Sequence, residues 1–247
     1  MYATEEIVYH DKVIEEYPLC HQSIVKEISM RVGNLPGIRR LPLYLDVLKR
    51  CLLAGEEKTS TSVLSEQTGF VVSVVRKDLE MTGAFGKTGV GFSVCQLIRN
   101  IEEFLGWDNP REAFLVGVGS LGSAIINHDE FRSHGLNIVA AFDTDPGKIG
   151  WNIHGIEVMP VTKLLDLAHR MHISMGVITV PGPQAQAIAN LFVEAGIIRI
   201  WSFARPLLSV PDHVTVQRED LSAGLAELLV RATVKHSVSQ RLLTQEK

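Results

Sequence analysis

Residues 113–125 read AFLVGVGSLGSAI: an apolar run, then Gly117-Val118-Gly119-Ser120-Leu121-Gly122, then small and apolar residues again. The run suits a buried strand and the tail suits a helix, so the GxGxxG falls at a strand-to-helix turn. Each glycine has a task there. Gly117 permits the tight turn, Gly119 lets the backbone approach a pyrophosphate, and Gly122 lets helix and strand pack closely. Amides at the helix N-terminus then meet the phosphate charge. An acid, Asp143, closes the next apolar strand, 21 residues after Gly122. A carboxylate at that place can take both hydroxyls of an adenosine ribose, and it repels a 2′-phosphate, which favours NAD(H) over NADP(H). Thr144 and Lys148, just beyond it, join the expected cofactor-binding set. The same pattern also suits another nucleotide-containing ligand such as coenzyme A.

Downstream, strand and helix alternate through LNIVAAFD, VTKLLDLAHR, MGVITV, AQAIANLFVEAG and IRIWSF. Buried apolar strands alternating with helices predict an α/β fold, a Rossmann doubly wound parallel sheet with helices on both faces. Ligands of such sheets sit beyond the carboxyl ends of the strands, which adds Thr179-Val180-Pro181 and, after Ser202, Phe203-Ala204 to the expected cofactor site. No catalytic group accompanies it. His128, His134, His154, His169, His172 and His213 are scattered and share no motif, so no enzyme activity is expected. An NAD-dependent oxidoreductase remains the rival from another class.

Upstream the punctuation changes. A first helix is expected over LPLYLDVLKRCLLAG, with Pro42 in its first turn, Gly55 as its stop and Leu45, Leu48, Leu52 and Leu53 as its buried stripe. Thr59-Ser60-Thr61-Ser62 offers N-caps for a short second helix closed by Gly69. A third helix spans VVSVVRKDLEMTG, with Val72, Val75 and Leu79 inward and Ser73, Arg76 and Lys77 outward. Gly83, Gly86, Gly89 and Gly91 then predict a short hairpin. Three helices and a glycine-rich hairpin are the order of a winged helix-turn-helix, its helical part running from about Leu43 to Thr82.

The expected domains are a helical leader over 1–36, the winged DNA-binding domain over 37–92 and a linker helix over 93–109. A Rossmann domain follows over 110–219, then a C-terminal dimerisation helix and tail over 220–247. Residues 31–92 carry nine Lys and Arg against six Asp and Glu, while the remainder carries 15 against 22, within a net charge of −4. A basic segment on an acidic body fits a nucleic-acid module on a larger domain. Cys20, Cys51 and Cys95 show no CxxC spacing, so neither a disulfide framework nor a metal site is expected, and the location reads as cytoplasmic. The acidic start (Glu5, Glu6, Asp11) does not read as a signal peptide, and no apolar run is long enough to span a bilayer.

The order RRLPLYL, VRKDL, GAFGKTGVGF, GVGSLG, AAFDTDPGKIG, TVP, SFA, EDL resembles the Rex family of redox-sensing transcriptional repressors over about residues 37–230. VRKDL followed by GxFGKxGVG discriminates far better than the GxGxxG. The resemblance implies a homodimer on double-stranded DNA with a palindromic operator, a C-terminal helix swapped between subunits, and release of the DNA when NADH draws the two Rossmann domains together. It makes Arg76 and Lys77 the recognition-helix pair, beside Ser73, and Lys87 and Thr88 the wing tip, where a second basic residue is usual. Two of the three positions of the family's redox switch depart. An arginine on the first helix is Asp46 here, a tyrosine at the wing exit is Phe92, and the aspartate before the last helix is kept as Asp220. Asp46 and Asp220 carry like charge and cannot pair. A Rex-like regulator with altered ligand or lost redox discrimination is therefore the alternative reading.

NADH and NAD⁺ differ in the charge of the nicotinamide, and exchanging a family cation for Asp46 favours the oxidised ring. A difference of about 1.4 kcal/mol changes the affinity ratio tenfold. Calorimetry should show a smaller NADH preference than is normal for the family, and Asp46→Arg with Phe92→Tyr should move the ratio back toward NADH. A strong NADH preference in the unmodified protein would refute this.

Overall fold

A computed structural model describes residues 35–86, 90–220 and 222–230. They form two compact units that divide between Asp108 and Asn109. Residues 1–34 of the leader expected over 1–36, the wing tip with Lys87 and Thr88, Leu221 and the tail beyond 230 lie outside the described residues, and Leu35 and Pro36 belong to the first helix.

The first unit is built on α1, Leu35–Leu53, which buries Leu41, Tyr44, Leu45, Leu48 and Cys51. That three-and-four spacing is one helix face. Two expectations need correction. The helix begins at Leu35, so Pro42 sits inside it and not in its first turn. An interior proline removes a hydrogen bond and costs about 3 kcal/mol, and burial of the flanking Leu41, Tyr44 and Leu45 offsets that cost. The stripe also ends sooner than expected: Leu52 is 46% exposed and Leu53 89%. Next come α2, Thr61–Thr68, capped by the Ser60 hydroxyl on the Val63 amide and closed by Gly69, and α3, Val72–Met81.

No hairpin arm appears between Gly83 and Gly86, the described residues before the tip. The strand leaving the wing, β2 (Phe92–Ser93), pairs antiparallel with β1 (Lys58–Thr59), Thr59 opposite Phe92. The partner strand precedes α2, more than thirty residues upstream, where local turn chemistry could not point to it. Nor is α4, Val94–Leu105, only a connection. Its Val94, Leu97, Ile98 and Ile101 join Leu41, Leu48, Leu64 and Leu79 in the core of this unit.

The second unit is a seven-stranded sheet. Its strands are β3 (Arg111–Val116), β4 (Leu136–Asp143), β5 (Asn152–Ile153), β6 (Ile156–Pro160), β7 (Met175–Ile178), β8 (Arg199–Ser202) and β9 (Thr215–Arg218), in the order β5-β6-β4-β3-β7-β8-β9. All neighbours run parallel except β5 and β6. Along β3, Phe114 and Val116 enter one core with Phe142, Ile178 and Phe192, while Ala113 and Leu115 enter the other with Ile125, Ala141 and Val177. Burial of both faces explains the unbroken apolar runs. The helices are α5 (Ser120–Asn127), α6 (Asp129–Ser133), α7 (Leu164–Met171) and α8 (Gly182–Glu194). The helix that follows the glycine turn breaks at His128, which separates α5 from α6. The edge strands β5 and β9, and β6 beside β5, were not anticipated, because they are short and largely polar or half-exposed.

Residues 222–230 are helical, and Leu225, Leu228 and Leu229 are 58–63% exposed. Among the described residues no helix is long and apolar enough to cross a membrane, and no cluster of His, Cys, Asp and Glu could hold a metal ion.

One polar network ties α1 to α3. Asp78 is 1% exposed. Its carboxylate accepts from Arg40 Nε at 2.7 Å, Arg40 Nη2 at 2.9 Å and Tyr44 Oη at 2.8 Å. Burial, and then the bond to Asp78, push the Tyr44 phenol well above its usual range. The hydrogen bond to Asp78 raises the Arg40 guanidinium further. Removing one partner strands a buried charge, which costs about 3 kcal/mol or more. Arg40→Ala should therefore lower the unfolding free energy in urea by about 3 kcal/mol, and Tyr44→Phe by about 1.5 kcal/mol. An Arg40→Ala loss under about 1 kcal/mol, the range of an exposed pair, would show that the network does not hold these helices.

Candidate functional site

The crevice lies where β3, β4 and β7 end. Gly117 follows β3 with φ +104°, and a Cβ there would stand 2.8 Å from the Val180 amide nitrogen. A Cβ at Gly122 would stand 2.2 Å from the Gly117 carbonyl oxygen. Thr179 closes the turn from the other side, its hydroxyl donating to the Gly117 carbonyl at 2.7 Å, with Val116 O at 3.1 Å. Gly119 differs: it is exposed, it opens α5, and nothing lies within 4 Å of where its Cβ would be. A backbone bare at that point, at a helix N-terminus, fits a pyrophosphate.

Asp143 is buried at the end of β4, 7% exposed. Its Oδ2 accepts from the Val118 amide at 2.8 Å and from Lys148 Nζ at 3.0 Å, and its Oδ1 from the Asp145 amide at 3.0 Å. Burial alone would raise its pKa. The Asp145 amide, Lys148 and the Val118 amide outweigh that and hold the carboxyl below its usual value. A depressed folded pKa stabilises the fold fully above the ordinary carboxyl pKa of about 4. That contribution is lost as pH falls through the lower folded value.

The crevice encloses about 920 Å³ and is lined by Gly117, Gly119, Asp143, Thr144, Lys148, Thr179, Val180 and Pro181 among the expected residues. Val118 and Gly122 are buried, and neither they nor Ser120 and Leu121 are in its wall. Phe203 and Ala204 are not in its wall. The Phe203 ring packs on Trp201 with centroids 4.6 Å apart, and Ala204 is buried with its amide on Ser202 Oγ. The sequence reading missed Pro183, Gln184, Ala187 and Ile188 of α8, together with Asp145 and Val161. The signal was available: α8 opens directly after β7, so its first turn must face the crevice.

In the first unit, Ser73, Arg76 and Lys77 are exposed on α3 while Val75, Asp78 and Leu79 point inward. Arg76 shares a groove of about 860 Å³ with Lys58, Ser60, Glu80, Phe85 and Phe92. Asp46 is exposed on α1. Phe92 is half-buried, its ring so close to Gly86 that a Cβ there would lie 2.7 Å away. Asp220 is exposed and belongs to the second unit, where its carboxylate caps helix 222–230 through the Ser222 amide at 2.9 Å and hydroxyl at 2.5 Å. Those two bonds hold its pKa below the usual range.

The glycine turn yields a test. Gly122→Ala forces carbon against a backbone oxygen, so it should both destabilise the fold and weaken dinucleotide binding. Thr179→Val removes only the hydroxyl bonds and should cost about 1–3 kcal/mol in stability, read by thermal melting. Wild-type melting and affinity in Gly122→Ala would show that the turn is not as drawn.

A family model described as "Putative DNA-binding protein N-terminus" matches residues 35–80, and one described as "CoA binding domain" matches residues 108–205. A redox-sensing transcriptional repressor Rex from Treponema denticola is 42% identical over 207 residues, covering 84% of this chain and 99% of that protein. One from Clostridium botulinum is 39% identical over 203 residues, covering 82% and 94%. Among solved structures, the Rex-family repressor RSP superposes with a TM-score of 0.76 at 33% identity, covering 84% of this chain and 97% of that one. RSP in complex with β-NAD⁺ and operator DNA gives 0.76 at 34%, covering 84% and 95%. With identity of this order over nearly the whole length of such relatives, the chain belongs to the Rex family of redox-sensing transcriptional repressors.

Proposed function

We propose that the protein is a DNA-binding transcriptional repressor that senses NAD(H) through its second unit. What carries this reading is one chain holding both a helix that presents Arg76 and Lys77 outward and a nucleotide crevice of the stated geometry. Relatives over most of its length are named redox-sensing transcriptional repressors, and RSP has been solved with β-NADH and with β-NAD⁺ and operator DNA. Arg76 and Lys77, with Ser73, meet the major groove, and Lys87 and Thr88 meet the DNA backbone or minor groove. Gly117 to Gly122 hold the pyrophosphate. Asp143, Thr144, Lys148, Thr179, Val180 and Pro181 enclose the adenosine half.

The protein acts as a homodimer, because a palindrome needs two recognition helices. The exposed leucines of helix 222–230 belong to that interface, and exchange of this helix between subunits is part of the proposal. It works in the cytoplasm as a regulator without catalytic turnover. Phe203 and Ala204, which lie off the crevice wall, are its weakest site residues. The match to a CoA binding domain model favours one second reading, a coenzyme A-type ligand in the same crevice.

Operator binding by the purified protein, titrated with NADH, NAD⁺ and coenzyme A, tests all of this. NADH should release DNA and coenzyme A should not. Arg76→Ala and Lys77→Ala should each weaken DNA binding and reduce the slope of log affinity against log salt by about one. Unchanged binding in both variants would rule out α3 as the reading helix.

A further inference from the structure

The groove that Arg76 shares with Phe85 and Phe92 lies between α2, α3 and the β1–β2 ladder. Its charged lining among the described residues is Lys58, Arg76 and Glu80, and Lys77 is exposed next to Arg76 on α3. The wall also includes Val63, Phe85 and Val90, all exposed, Phe85 by 89%. A DNA backbone asks for cations and amides. Cations set among bare apolar side chains also suit a peptide that carries acids and apolar residues together. The chain contains one. Residues 5–17 read EEIVYHDKVIEEY, in which Glu5, Glu6, Asp11, Glu15 and Glu16 stand against Lys12 alone. Two pairs of glutamates bracket Ile7, Val8, Val13 and Ile14. The segment lies outside the family match. The DNA-binding family model begins at residue 35, and a relative matched over 99% of its own length covers 84% of this chain. The leader also joins the fold beside the groove. Helix α1 starts at Leu35, and five residues on, Arg40 bonds to Asp78, two residues from Arg76. The chain between Tyr17 and Leu35 can span up to about 60 Å, ample to reach the groove.

We propose that residues 5–17 dock in this groove and compete there with DNA. The glutamates take the place of phosphates at Lys58, Arg76 and Lys77, and the apolar residues cover Val63, Phe85 and Val90. The competition rests on the reading of α3 as the DNA-reading helix. Because the segment is on the same chain as the groove, it meets the groove at high effective concentration, so weak contacts suffice. Charge alone would give a different result. Five carboxylates anywhere near the surface repel DNA, and that repulsion does not depend on the residues between them. Docking depends on both, since removal of the apolar residues uncovers the groove with the charge unchanged.

The experiment compares three full-length proteins by fluorescence anisotropy with a labelled mixed-sequence DNA duplex. One is unmodified. The second carries Glu5→Gln, Glu6→Gln, Glu15→Gln and Glu16→Gln together. The third carries Ile7→Ser, Val8→Ser and Ile14→Ser together and keeps every charge. Both variants should bind the duplex about tenfold more tightly than the unmodified protein, the combined weight of several exposed contacts. Hydrogen exchange without DNA gives a second readout: the backbone amides around Val63 and Phe85 should exchange faster in both variants. Unchanged affinity in both variants overturns the proposal. So does a gain confined to the glutamine variant, which is the signature of simple charge repulsion. Weaker DNA binding in either variant would make the leader a helper of DNA binding and overturns it as well. Tighter binding in both variants with no change in exchange would place the leader elsewhere and overturns the groove as its site. If none of the three binds the duplex, the reading of α3 fails and the competition with it.

Discussion

The Asp78 carboxylate lies out of reach of water and survives there because Arg40 and Tyr44 supply three donors between 2.7 and 2.9 Å. An ionised group left in an apolar interior without such donors would cost more than a small domain can spare. The demand runs both ways. Arg40 and Tyr44 sit four residues apart on one face of α1, so meeting the needs of Asp78 sets the position of α3 on α1. Asp78 is the next residue after Lys77, so the same network sets the angle at which Arg76 and Lys77 leave the surface. Phe70 completes the arrangement. The Arg40 guanidinium lies 5.5 Å from its centroid, and the Tyr44 ring meets it edge-on at 6.1 Å.

The second unit repeats the device with different donors. Asp143 is buried at the end of β4 and satisfied by two backbone amides and one ammonium. The Val118 amide belongs to the glycine turn, so the bond joins the end of β4 to the turn after β3. Thr179 does the same from β7. Three adjacent strand ends are thereby held together by side-chain to backbone bonds, around a turn whose glycines leave no room for a side chain. Such a turn is shaped before any ligand arrives, which lowers the cost of binding. In each unit a buried carboxylate stabilises the fold and aims the functional surface in one stroke. Arg76 and Lys77 stand exposed beside the first carboxylate, and Lys148 bonds directly to the second.

How much of this was legible beforehand depended on range. The GxGxxG and the acid closing the second strand are local patterns with local causes, and Gly117, Gly119 and Asp143 line one crevice. The alternation of strand and helix gave the sheet, since burial of both faces writes itself into apolar runs. The wing's partner strand could not be read, because Thr59 and Phe92 meet across two helices. Arg40 and Asp78 were passed over for the same reason. One looks like a charge in a basic segment and the other like a charge on a helix, and only their meeting explains either. Phe203 was expected in the crevice from its place after a strand, but its ring turns to Trp201 and so to the opposite side of the sheet.

The sequence by itself determined the class of fold and the family, because period, glycine placement and residue type act within a few positions of one another. The tertiary structure alone decided which charges are buried and what satisfies them. Lys148, five residues from Asp143, was expected in the cofactor site, but only the folded loop brings its ammonium onto the Asp143 carboxylate. It then occupies a lone pair that the sequence had assigned to a ribose. Hydrogen-bond capacity is finite and is allotted in three dimensions, so the count of acceptors left for a ligand can be made only once the chain has taken its own share.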